Sequence, residues 1–153
     1  MHKYVMNFKV FFIESEKRKN LDDVNKTLKK LPKKYRDLFK GFKFKFEADN
    51  TLNGDDKHVG LIDTEKKTIT IAAPWNYGRE FTLLHEIAHL VWANFLEDDL
   101  KKKWNNIAKN TKNKMNDGLE ELFCMAFAST YCKHPVAIHN HKKWIKFIKN
   151  IPN

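Results

Sequence analysis

"EFTLLHEIAHLVWANF", residues 80–95, decides how the chain is read. From Arg79 onward Phe81, Leu84, Ala88, Val91, Trp92 and Phe95 recur at helical spacing. His85, Glu86 and His89 interrupt this apolar helix. Titratable side chains on such a segment are costly to bury unless they are paired or bind a metal. Positions i and i+4 lie one turn apart on the same face. His85 and His89 can therefore turn two imidazoles towards one ion, with Glu86 projecting beside them.

This is the H-E-x-x-H arrangement. Zinc accepts neutral imidazole nitrogens and keeps one coordination position open for water. The ion lowers the pKa of that water. Glu86 is placed to take the proton and pass it to a leaving amine. Four letters with two wild cards also occur by chance. The apolar helix around them, a strand pair before it and a second apolar helix with carboxylates after it favour a metal site. One Zn2+ per chain is expected.

A third protein ligand is needed. A third histidine six residues after His89, with a glycine between, would mark a metzincin; Phe95 stands there instead. The next histidine, His134, follows only after a long interval. Glu120 and Glu121 open the helix "LEELFCMAFASTY", which is otherwise almost wholly apolar. One of these two completes a His-His-Glu site, and acidic residues in a first helical turn also complement the dipole.

HExxH followed by a helical Glu is the gluzincin plan. "GLIDTEKKTITIAAP…REFTLLHEIAHLVW" resembles the segment before and through the metal helix of ImmA/IrrE-type peptidases. "EELFCMAFASTY", with "HNHKKWIKFIKN" after it, resembles the third-ligand and terminal helices of the anthrax lethal-factor catalytic domain and its Pro-Pro endopeptidase relatives. In that family the ligand Glu directly precedes a Phe-Phe-Ala-Glu-Ala-Phe-like run, which implies Glu121 here. The helix "LEDDLKKKWNNIAKN" between the motifs also suits the lethal-factor layout. The resemblance covers roughly residues 58–150.

Two departures stand out. The family places a Tyr, which assists the oxyanion, in the loop before the Glu helix; "NTKNKMNDG" has none. Lys112 or Lys114 offers positive charge there, and Tyr131, His134 or His139 could act from elsewhere. The residues do not choose between them. The second acidic residue of the family's Glu helix falls on Met125, which alters the groups that would orient a metal-bound histidine.

Around these motifs the order is strands first and helices second, which argues for α+β. "KYVMNFKVFFI" (3–13) reads as a strand. Residues 21–31 read as a helix with Leu21, Val24, Leu28 and Leu31 on one face. Pro32 and Gly41 bracket a short second helix. "FKFKFE" (42–47) alternates as a half-buried strand. "HVGLID", the turn "TEKK" and "KTITIAA" form a hairpin. "TITIAAP" is expected at a sheet edge over the cleft, ending at Pro74, where an extended substrate can add by backbone hydrogen bonds. A plain core or surface strand fits these residues equally well. A last amphipathic helix begins at Pro135 and uses Ile138, Ile145, Phe147 and Ile148.

A length of 153 residues fits a single domain with a real core. The 29 basic residues exceed the 19 acidic ones, which favours anionic partners. They are scattered without a nucleic-acid-binding motif, as solvated helix faces would be. If Cys124 and Cys132 share one helix, they stand roughly 12 Å apart along its axis. That is too far for a disulfide, and free thiols fit a reducing compartment. No signal peptide or membrane span is read, so a cytoplasmic protein is expected, or a toxin- or phage-borne one delivered by other machinery.

The expectation is thus a single-domain zincin-like zinc endopeptidase acting on an extended protein or peptide. His85, His89 and Glu121 hold the metal and Glu86 is the general base. One rival is a zincin-fold binding module, weak or inactive as an enzyme, whose basic surface takes nucleic acid or an acidic protein. Another is a metal-dependent hydrolase of something other than peptides.

Overall fold

Residues 21–29 form helix α1 of a computed structural model that describes residues 21–46, 60–71, 79–109, 118–132 and 142–153. The buried side of α1 carries Val24 and Thr27, with Leu28 packed against the core and Leu31 just beyond the helix. Leu21 does not join them and is 51% exposed. Pro32 caps helix α2 (Lys33–Asp37), whose Tyr35 is fully buried. Gly41 takes a φ of +85°, a left-handed conformation that suits glycine, and the chain turns there into the first strand.

Three strands follow the expected segments: β1 (Lys43–Phe46), β2 (Gly60–Asp63) and β3 (Thr68–Ile71). The β2–β3 hairpin is antiparallel, with Gly60 opposite Ile71. β1 runs parallel to β3, with Phe44 opposite Ile69. The order is therefore β1-β3-β2. This corrects the placement of "TITIAAP": β3 is the central strand, bonded on both sides, and Ile69 and Ile71 are buried. Among the described residues the edge strand beside the long helix is β2. The sheet is small and mixed and the remainder is mostly helical, an α+β arrangement.

Helix α3 (Arg79–Phe95) packs on β2 and β3 through one side and on helix α5 through another. Leu83, Leu84, Ile87, Ala88 and Val91 are all buried. Helix α4 (Asp98–Ala108) is polar except for an inner stripe that includes Trp104 and Ala108. Helix α5 (Leu119–Tyr131) starts from an extended Gly118 and buries Leu122, Phe123, Cys124, Ala126, Phe127, Ala128 and Ser129. Helix α6 (Lys142–Lys149) is seated by Trp144 and Ile148. Trp144 is a core anchor that the expected stripe through Ile138 and Ile145 did not include. The expected strand at 3–13, the end of "TITIAAP" at Pro74 and the start of the last helix at Pro135 lie outside the described residues. No helix among them is long and apolar enough to cross a membrane.

Trp104 ties this arrangement together. Its ring lies 5.6 Å from Phe123, 5.5 Å from Trp144 and 5.4 Å from Phe147. Its Nε1–H donates to the carbonyl of Leu119 at 2.9 Å. The indole thus fixes the first turn of α5, the turn that carries both candidate carboxylates. Trp104→Ala should lower unfolding stability by about 3–5 kcal/mol, the usual cost of emptying an aromatic core site, read from urea denaturation.

Candidate metal centre

The i, i+4 spacing on α3 places both imidazoles on the side that faces α5. The His85 and His89 rings lie edge to face, with centroids 5.1 Å apart. Glu121 reaches across from α5 and spans them. Its Oε2 is 3.1 Å from His85 Nε2, and its Oε1 is 3.3 Å from His89 Nε2. One ligand atom from each of these three residues falls within 4.8 Å of the others. Tetrahedral zinc with bonds of 2.0–2.2 Å sets its ligand atoms about 3.3 Å apart. The two imidazole–carboxylate separations, one to each Glu121 oxygen, are close to that edge.

Glu120, the adjacent residue, has a different task. Its Oε1 accepts from His89 Nδ1 at 2.7 Å. His89 therefore meets a carboxylate at each ring nitrogen. A neutral imidazole has one N–H and one lone pair. If Nδ1–H donates to Glu120, the Nε2 lone pair points at Glu121, an unfavourable approach unless a cation lies between them. The other solution is an imidazolium at His89 that donates to both carboxylates, with a neutral His85 donating its Nε2–H to Glu121. A single divalent ion would instead answer both histidines and Glu121 together. No lysine or arginine among the described residues pairs with Glu120 or Glu121.

Both carboxylates of α5 are about half exposed, so the cluster opens to solvent on one side. Glu86 is on the closed side, only 8% exposed, where α3 meets the sheet. Cys124, behind the site on α5, is fully buried. Burial, followed by the Glu121, Glu120 and Glu86 carboxylates, pushes its thiol far above the ordinary range. It stays protonated at neutral pH and is not one of the converging donors.

The structure thus brings together the ligand atoms of His85, His89 and Glu121, while Glu86, next to His85 in sequence, meets Gly60 of β2. Tyr131 is not brought in. It lies ten positions beyond Glu121 on α5, roughly 15 Å along the axis, and its ring packs on Phe127 at 4.9 Å. Lys112, Lys114, His134 and His139 lie outside the described residues. The α5 carboxylate that meets the far nitrogen of His89 is that of Glu120, not a group at the Met125 position. Sequence reasoning held Glu120 only as an alternative ligand. The signal for its second role was the acidic pair itself, read with the helix phase. Comparisons with protein-family models, with curated proteins and with solved structures find no match to this chain.

The two glutamates should separate in a metal titration. Glu121→Ala should abolish stoichiometric zinc binding. Glu120→Ala should retain one zinc but bind it about 10–100-fold more weakly, the usual effect of removing a group that orients a ligand. Chelator competition measures both.

Proposed function

We propose that the chain is a zinc-dependent endopeptidase of the gluzincin type on a zincin-like fold. The carrying observation is the Glu121 carboxylate set against both Nε2 atoms, with Glu86 next to His85 on the buried side of the same helix. The donor set suits zinc: two borderline imidazoles and one carboxylate, with one open side. The resemblance to ImmA/IrrE-type peptidases and to the lethal-factor catalytic domain points to the same activity.

Bound zinc supplies Lewis acidity, which eases deprotonation of a water and polarises a carbonyl. The chain's own residues do the rest. Glu86 accepts a proton from the attacking water at its carboxylate and delivers it to the leaving nitrogen as the amide C–N bond breaks. Glu120 holds the Nδ1–H of His89 and so keeps Nε2 turned into the site. Among the described residues β2 is paired on one side only, and an extended protein or peptide substrate could add there by backbone hydrogen bonds.

A second reading rests on α6. Lys142, Lys143, Lys146 and Lys149 are all exposed and form no ion pair within the described residues. That face suits an anionic protein or nucleic acid, in a binding module that keeps the zincin-like fold without the activity.

One variant separates the two readings. In zinc-loaded protein challenged with a peptide library, Glu86→Gln should lower kcat/KM by about 10²–10⁴-fold while zinc content stays unchanged. A wild type that takes up no zinc, cleaves nothing and binds nucleic acid with a steep salt dependence supports the binding module instead.

A further inference from the structure

Gly60 opens β2 and pairs with Ile71 of the central strand. Glycine in a strand is unfavourable by roughly 0.5–1 kcal/mol relative to alanine, so its presence needs a reason. The backbone supplies none: unlike Gly41, Gly60 is not in the left-handed region. The surroundings do. A Cβ at Gly60 would lie 2.8 Å from both Cγ and Cδ of Glu86, and closer still to its Oε1. All three of the nearest atoms belong to Glu86. Glycine in a strand often marks such a close approach.

We infer that Gly60 is a positioning residue for Glu86: its bare backbone forms the wall against which the carboxylate of this neighbour of His85 is seated. The sheet and the metal helix meet at this contact. Glu86 is almost fully buried there, so it cannot swing into solvent to escape an added methyl. Any side chain at Gly60 must push the carboxylate along α3 or lift β2 off the helix. The donor atoms of His85, His89 and Glu121 meet elsewhere, between α3 and α5. Seating of the base and assembly of the ligands are therefore separable. The inference rests on the peptidase reading for its functional meaning, though the contact itself can be tested without a substrate.

The experiment compares wild type, Gly60→Ala, Glu86→Gln, Glu86→Ala and the double variant Gly60→Ala/Glu86→Ala. Zinc affinity is read by chelator competition, thermal stability by calorimetry, and access to the base by binding of acetohydroxamic acid to the zinc-loaded proteins. A hydroxamate chelates zinc and shares its hydroxyl proton with a carboxylate alongside. Gly60→Ala should keep the wild-type zinc affinity yet weaken hydroxamate binding roughly 10–100-fold, as Glu86→Gln does, the scale of a lost charged hydrogen bond. Gly60→Ala should also lower the melting temperature in wild type but not in the Glu86→Ala background, where the methyl has room.

Wild-type hydroxamate affinity in Gly60→Ala, or an equal stability loss in both backgrounds, overturns the inference. If Gly60→Ala alone does not fold, the double variant should; failure of both overturns it too. A wild type that binds no zinc would instead defeat the peptidase reading, while the stability cycle still decides whether Gly60 seats Glu86.

Discussion

The packing of α3 against α5 is the constraint on which the rest depends. α3 carries two imidazoles and a buried carboxylate through the centre of the molecule, where isolated polar groups are costly. α5 answers with two adjacent carboxylates, Glu121 on both Nε2 atoms and Glu120 on the far nitrogen of His89. Both helices are otherwise apolar, and Phe123 of α5 packs against Trp92 of α3 at 5.3 Å. Burial drives them together, and the polar atoms between them decide the register.

The outer elements hold that register. Trp104 anchors the first turn of α5 through the Leu119 carbonyl, and Trp144 backs Trp104. On the far side Tyr35 meets Phe95 of α3 at 5.2 Å and Phe127 of α5 at 5.4 Å, edge-on to both rings. Lys34 donates to the carbonyls of Ile151 and Pro152, which draws the last residues onto the same corner. The two ends of the helix pair are thus clamped by aromatic clusters, and the metal site opens at the end nearer Trp104. The sheet contributes by lying against Glu86 through Gly60.

What was legible in the sequence was local. His85, Glu86 and His89 share one helix, so their geometry follows from the helical repeat alone, and the hairpin at β2–β3 is announced by its turn. What was not legible depended on distant pairings. β3 reads equally well as an edge or a central strand until β1 is seen beside it, because alternation along one strand carries no information about its neighbours. Glu120 and Glu121 differ by a single step of helix phase, and the phase is set by how Phe123 and Phe127 pack, not by the acidic pair. Leu21 has the spacing of a core residue, yet it is left about half exposed. Gly60 looks like a weak strand residue until the Glu86 side chain is placed against it. Tyr131 has the right chemistry for an oxyanion, but the rise of its own helix carries it away to Phe127.

The central claim is that His85, His89 and Glu121 form one zinc site. The most direct measurement is anomalous X-ray diffraction from crystals grown with zinc, using data on both sides of the zinc absorption edge. The account predicts a single strong anomalous peak about 2.0–2.2 Å from His85 Nε2, His89 Nε2 and a Glu121 oxygen, with Glu120 still hydrogen-bonded to His89 Nδ1. A peak ligated by Glu120 in place of Glu121, or no peak between α3 and α5, would contradict it.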